Sequence, residues 1–92
     1  MSAAISVPAA ASPGLALTWN RVLEIEPRLA WAWARKGRTM RLLMRYDEAL
    51  TCYDRAIDLN PHFAWAWTGK GQVLERLNQI ERALAELDTR WN

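Results

Sequence analysis

The stretch AWAWARKG at residues 30–37 returns as AWAWTGKG at residues 64–71, an offset of 34 residues. The similarity continues beyond these positions, because laying residues 30–58 on residues 64–92 gives ten identical pairs among 29. The pairs are Ala30/Ala64, Trp31/Trp65, Ala32/Ala66, Trp33/Trp67, Lys36/Lys70, Gly37/Gly71, Leu43/Leu77, Ala49/Ala83, Leu50/Leu84 and Asp54/Asp88. Self-similarity at a fixed period of this length indicates one supersecondary unit used more than once.

Outside the repeated stretch, too, apolar residues recur at three- and four-residue steps, with little of the alternation that strands show. They form five groups: Leu15–Ile25, Trp33–Met44, Ala49–Ile57, Trp67–Leu77 and Ala83–Trp91. Pro27 and Pro61, again 34 residues apart, interrupt the pattern where helices should stop. The spacing predicts an all-α chain of five helices of about ten to fourteen residues.

The repeated residues follow the pattern W-x₂-L-G-x₂-Y, then A-x₃-F, then P. The matching positions are Trp33, Gly37, Ala49, Tyr53, Ala56 and Pro61 in one copy and Trp67, Gly71 and Ala83 in the next. At these residues the chain resembles the tetratricopeptide repeat (TPR) family, whose unit is a 34-residue helix–turn–helix. It departs from the pattern at Lys36 and Lys70, where Leu is usual, and at Met40 and Leu74, where Tyr is usual.

The resemblance implies an α-solenoid of antiparallel helix pairs with about two and a half repeats. We expect a disordered leader over residues 1–14 and a TPR-like domain over 15–92. That domain would comprise an orphan second helix at 15–26, one repeat at 30–63 and another at 64–92. Gly37 with Ala49, and Gly71 with Ala83, are expected where paired helices cross, with Trp33 and Trp67 filling the space beside each crossing.

Residues able to carry out chemistry are few. His62 follows a proline in a turn, and Cys52, the only cysteine, is interpreted as a packing thiol. Asp47 and Glu48 suit the start of a helix through the macrodipole, and the sequence GKG at residues 69–71 lacks the spacing of a phosphate loop. The sequence therefore predicts no enzymatic activity, no metal site and no cofactor.

A basic helix face offers a binding surface. Arginines 35, 38, 41 and 45 recur with Trp31 at helical steps, and residues 27–46 hold six basic residues and no acid. In TPR stacks the first helices line the concave side, which implies as partner-binding candidates Trp31, Arg35, Arg38, Arg41, Trp65, Thr68, Gln72 and Arg76. Such a surface suits an acidic or carboxylate-bearing peptide, which Arg binds bidentately. The competing interpretation is a solvated arginine face, with Trp31 and Trp65 packing between repeats.

The family's clamp for C-terminal carboxylates uses Lys and Asn at set concave positions, and the matching places here hold Ala34, Arg38 and Gly69. The clamp is therefore not reproduced, and the ligand class stays open.

Three functions follow as hypotheses. The first is a non-catalytic protein-interaction module that binds a protein or peptide partner. The second is a self-associating scaffold, or a piece of a longer repeat array, because both ends of the stack would leave apolar surface uncovered. Nucleic-acid binding is disfavoured, since the net charge is only +2 and the basic residues concentrate in one helix. Without a secretory signal or an apolar run of about 20 residues, we expect a cytoplasmic protein with no membrane partner.

Overall fold

The structure, a computed structural model, describes residues 13–91 and the side chains of residues 14–87. It contains four helices: α1 (Pro13–Ile25), α2 (Ala30–Leu42), α3 (Tyr46–Leu59) and α4 (Ala64–Trp91). The described residues form helices and turns and no strand, which confirms the all-α prediction. The expected leader lies outside the described residues except for its last two positions, which begin α1.

Short turns join the helices, so that neighbours in sequence are neighbours in space. Helix α1 packs on α2, α2 packs on α3, and α3 packs on α4, while α2 and α4 also touch. The pair α2 and α3 forms the antiparallel hairpin that the repeat predicts. Helix α3 thus lies against two helices at once, and its residues Ala49, Cys52, Tyr53 and Ala56 are all buried.

The repeated tryptophans and prolines share one local function. The indole Nε1 of Trp33 donates a 2.8 Å hydrogen bond to the carbonyl of Pro27, and Trp67 does the same to Pro61, also at 2.8 Å. Each bond ties the turn before a helix to the first turn of that helix. The amine of Lys36 lies 5.5 Å from the centre of the Trp33 ring, a cation–π arrangement that explains a lysine at the usual leucine position.

Tyr53 is the side chain around which the helices assemble. It is 2% exposed, and its ring lies so close to Gly37 of α2 that a Cβ there would sit 3.1 Å from two ring carbons. On the other side, a Cβ on Gly69 of α4 would lie 2.7 Å from the Tyr53 hydroxyl oxygen and closer still to the ring. The ring is therefore wedged between two glycines, and this wedge sets the positions of α2 and α4.

The turn between α2 and α3 is a Schellman motif. The amide of Arg45 donates to the carbonyl of Met40 at 2.8 Å, and that of Met44 donates to Arg41 at 3.0 Å. This geometry requires a left-handed residue, and Met44 supplies it with φ of 63°. A side chain with a Cβ is strained there, and the Met44 side chain is 71% exposed, so it contributes little packing in return.

We expect Met44→Gly to raise the free energy of unfolding by about 1 kcal/mol, because glycine adopts this conformation without the Cβ clash. Urea unfolding followed by circular dichroism measures the change. Met44→Ala is the matched control, since it shortens the side chain but keeps the Cβ, and should give no comparable gain. Equal gains from the two variants would contradict the assignment of strain to the left-handed backbone.

The number of helices differs from the five expected, because α4 runs unbroken for 28 residues. By the repeat offset, Leu77, Asn78 and Gln79 occupy the places of Leu43, Met44 and Arg45, yet they stay helical. The physical reason lies in the packing that would reward a turn. Helix α3 buries residues against both α2 and α4, whereas the corresponding residues 80–87 are exposed along α4.

The expected crossing of Gly71 with Ala83 is consequently absent. A Cβ on Gly71 would meet nothing within 4 Å, and Ala83 is exposed farther along the same helix. For the same reason Trp67 is 51% exposed, whereas Trp33 is half-buried against the core. The second repeat therefore has its first helix in place and its second helix as a straight continuation.

Candidate functional site

The predicted basic face of α2 looks across a groove at α4. Arg38 and Arg41 from α2 and Trp65, Thr68 and Gln72 from α4 line one cavity of about 140 Å³, with Tyr53 and Gly69 also in its lining. The two helices lie side by side because Tyr53 separates them by the width of one ring. Five of the eight predicted binding residues are thus brought together.

This cavity shares lining residues with two others, so that the three form one continuous surface that we call the arginine groove. Toward α1, a cavity of about 100 Å³ shares Arg38 and is also lined by Leu15 and Trp19. Toward the α2–α3 turn, a cavity of about 270 Å³ shares Arg41 and Gln72 and includes Arg76. Arg35 lines the first of these, so seven of the eight candidates lie along the groove.

Trp31 is the exception. It is 48% exposed, and its ring meets Trp19 of α1 edge to face with ring centres 6.0 Å apart. Trp31 lines none of the three cavities. Its ring therefore contacts α1, with about half of its surface exposed, and does not face the groove. Trp65, by contrast, lies in the groove, where the guanidinium of Arg35 sits 5.8 Å from its ring centre.

The arginines of the groove have unused capacity to bind. None of Arg35, Arg38 and Arg41 forms an ion pair with a carboxylate among residues 14–87, where the ion pairs are Arg45–Glu48 and Lys70–Asp54. The Nε atom of Arg41 is buried and has no hydrogen-bond partner among these residues.

Tyr53 is electrostatically coupled to the same arginines. Burial raises the pKa of its hydroxyl, while a hydrogen bond from Arg41 and the positive charges of Arg41 and Arg38 oppose that rise. The hydroxyl therefore stays protonated at neutral pH, and Tyr53 lines the groove together with Arg38 and Arg41.

Sequence reasoning did not assign three of the residues that line the site, Gly69, Leu15 and Trp19. Gly69 was assigned only as a position where the family clamp is lost, yet it admits the Tyr53 ring and so permits α4 to approach. The sequence did carry a signal for this role: Gly69 is a glycine inside a helix, and the first copy of the repeat has Arg35 at the same position. Leu15 and Trp19 of α1 also line the groove. By the 34-residue offset they occupy the places of Ala49 and Tyr53 in α3, and this correspondence was the signal that could have found them.

Catalytic and metal-binding groups do not gather anywhere in the described part of the chain. Burial raises the pKa of the Cys52 thiol to about 11, which keeps it protonated and unreactive at neutral pH. His62 lies exposed in the α3–α4 turn, where its amide donates to Asn60 Oδ1 at 3.3 Å. Among the side chains of residues 14–87 there is no cluster of three or more His, Cys, Asp or Glu able to hold a metal ion, and none of the described helices could cross a membrane.

Comparison with known proteins bears on α3 and the first half of α4. No curated protein matches the chain. A family model described as TPR repeat matches residues 43–78, which begin in the α2–α3 turn and end at the place where a second turn was expected. This match confirms the resemblance seen in the repeated residues. By that match, residues 43–78 are similar to a tetratricopeptide repeat.

Proposed function

We propose that this chain is a protein-interaction module that binds an acidic peptide along the arginine groove. TPR repeats generally mediate protein–protein interactions, and this supports the broad assignment. The observation that carries the narrower one is the line of three guanidiniums on α2 without carboxylate partners, facing Trp65, Thr68 and Gln72 of α4.

The chemistry of the groove favours carboxylates over other ligands. A guanidinium offers paired donors whose geometry matches a carboxylate, and Arg38 and Arg41 both line the groove. The hydroxyl of Thr68 and the amide of Gln72 add neutral hydrogen-bonding groups on the opposite wall. A bound peptide would therefore place acidic side chains toward α2 and its backbone toward α4.

The two ends of the groove differ in character and give the peptide a direction. The end near α1 is lined by Leu15 and Trp19, which favour an apolar side chain, and the other end carries Arg76. A peptide with one apolar residue followed or preceded by several acidic residues fits this gradient.

The test uses a fluorescein-labelled peptide with one Leu and a run of alternating Glu and Gly, followed by fluorescence anisotropy. Arg38→Glu combined with Arg41→Glu should weaken binding at least about tenfold, since two attractive charges become repulsive. Arg28→Glu with Arg55→Glu is the matched control, because it makes the same change of net charge outside the groove lining. It should bind nearly as the unmodified chain does.

A second peptide with Gln in place of every Glu separates charge recognition from apolar contact. We expect it to bind the unmodified chain at least about tenfold more weakly. Equal binding of the two peptides, or undiminished binding by the Arg38/Arg41 variant, would overturn the proposed ligand class. Circular dichroism of each variant verifies that helicity is unchanged.

We also propose that the module is non-catalytic and works without a cofactor. A cytoplasmic location is part of the same proposal and rests on the sequence alone.

A further inference from the structure

We infer that copies of this chain associate head to tail, the C-terminal half of α4 in one copy packing into the notch at Gly71 of the next. The notch is the surface formed by Trp67, Gly71 and Leu74. The docking segment, residues 80–87, presents Ile80, Leu84 and Leu87. This inference is independent of peptide binding, because neither surface lies in the arginine groove.

The notch is an uncovered copy of a surface that is covered elsewhere in the same chain. By the repeat offset, Trp67, Gly71 and Leu74 correspond to Trp33, Gly37 and Met40. In the first repeat, α3 covers this surface: Met40 is 2% exposed and the Tyr53 ring lies on Gly37.

In the second repeat the same surface is open. Leu74 is 47% exposed, Trp67 is 51% exposed and a Cβ on Gly71 would meet nothing. The notch thus has the residues of an inter-helix contact without the helix.

The docking segment is the copy of the helix that does the covering. Ile80, Leu84 and Leu87 correspond to Tyr46, Leu50 and Tyr53 of α3. The three α3 residues are buried or half-buried against the core.

Their counterparts on α4 are uncovered, with exposures of 41% for Ile80, 60% for Leu84 and 50% for Leu87. The notch corresponds to the surface of α2 that α3 covers, and the docking segment corresponds to α3. The docking segment is therefore the surface expected to fit the notch.

A single chain with a continuous α4 cannot bring the two surfaces together. Gly71 and Leu87 are 16 residues apart, about 24 Å along a helix that rises 1.5 Å per residue. At 100° per residue they also lie about 160° apart around the helix axis. The segment that fills the notch must therefore come from another copy.

The opposite orientation of the two surfaces also fixes the kind of assembly. A closed dimer would need both surfaces on one side of α4, so that each helix could contact the other twice. With the surfaces nearly opposite, each contact uses the notch of one copy and the segment of another, which leaves one free notch and one free segment. Such a contact grows into chains or closes into a ring.

Sedimentation equilibrium of the full chain between about 5 and about 200 µM tests the inference, since a contact of this size should be weak. We expect the average mass to rise with concentration beyond that of a dimer. A strict monomer, which includes a chain folded back on its own notch, or a dimer that grows no further, would overturn the inference.

Two variants test the complementary surfaces. Gly71→Arg fills the notch, where added atoms meet open space, and Leu87→Asp places a charge on the exposed docking segment. Each variant alone should be a monomer, and an equimolar mixture should form a one-to-one heterodimer, because one notch and one segment survive. Failure of the mixture to associate, with both variants helical by circular dichroism, would contradict the head-to-tail geometry.

Discussion

Gly69→Ala is expected to lower the free energy of unfolding by about 2 to 3 kcal/mol, although alanine is the better helix former. The added Cβ would overlap the Tyr53 ring and lie 2.7 Å from its hydroxyl oxygen. The ring cannot simply retreat, because its other side lies against Gly37, where a Cβ would already be 3.1 Å away. Either α4 moves outward or the buried ring leaves its site, and both changes lose packing.

Gly71→Ala is the matched control, two residues along the same helix. Its Cβ would meet nothing within 4 Å, so the substitution should stabilise the chain by up to about 1 kcal/mol through helix propensity. We therefore expect the two variants to change the free energy of unfolding in opposite directions, and urea unfolding of both measures this. A stabilising Gly69→Ala would contradict the close approach of α4 to Tyr53.

A double variant locates the cost of Gly69→Ala in the Tyr53 ring. Tyr53→Leu removes the ring but keeps an apolar side chain at this buried position. Adding Tyr53→Leu to Gly69→Ala should therefore cost less than the sum of the two single changes, because the clash is gone when the ring is gone. Strict additivity would mean that the two residues do not touch.

Tyr53→Ala is expected to cost about 3 to 5 kcal/mol, the range for removing a buried aromatic ring. The ring is 2% exposed and contacts both α2 and α4, so its loss opens a cavity between three helices at once. In a chain of 92 residues this can exceed half of the total stability. Thermal unfolding should show a much lower midpoint or no cooperative transition.

Tyr53→Phe provides the control for this variant. It keeps the ring and removes only the buried hydroxyl, so we expect a loss of about 1 kcal/mol. Losses of similar size for Tyr53→Phe and Tyr53→Ala would show that the hydroxyl, and not the wedge, holds the helices.

Local patterns predicted the helices and their breaks well. Apolar residues at three- and four-residue steps, together with Pro27 and Pro61, place α2, α3 and the start of α4, because these signals act within one or two turns of helix. The repeat offset then paired α2 with α3. The indole bonds to Pro27 and Pro61 explain why tryptophan and proline recur together, a reason that the repeat alone did not reveal.

The sequence predictions that differ from the structure concern contacts between distant parts of the chain. Asn78 occupies the turn position of Met44 and would adopt a left-handed backbone more readily, yet α4 continues, since a turn is retained only where packing rewards it. Gly69 likewise looked like a position outside the repeat pattern. Its role depends on where Tyr53 points, which spacing along one helix cannot show.

The sequence predicted which residues belong to the candidate site better than it predicted how they are arranged. Helical spacing put Arg35, Arg38 and Arg41 on one face of α2, and the repeat put Trp65, Thr68 and Gln72 on the equivalent face of α4. That Trp31 turns to Trp19 while Trp65 stays in the groove could not be predicted, because the two are identical positions of the repeat with different neighbours.

The most direct measurement of the central claim is a set of nuclear Overhauser contacts from the aromatic protons of Tyr53 in the full chain. We claim that this one ring joins α2 to α4 and so builds the groove between them. Contacts to the α-protons of both Gly37 and Gly69 are the predicted result. Contacts to Gly37 alone would leave α4 unattached at this point and would contradict the account.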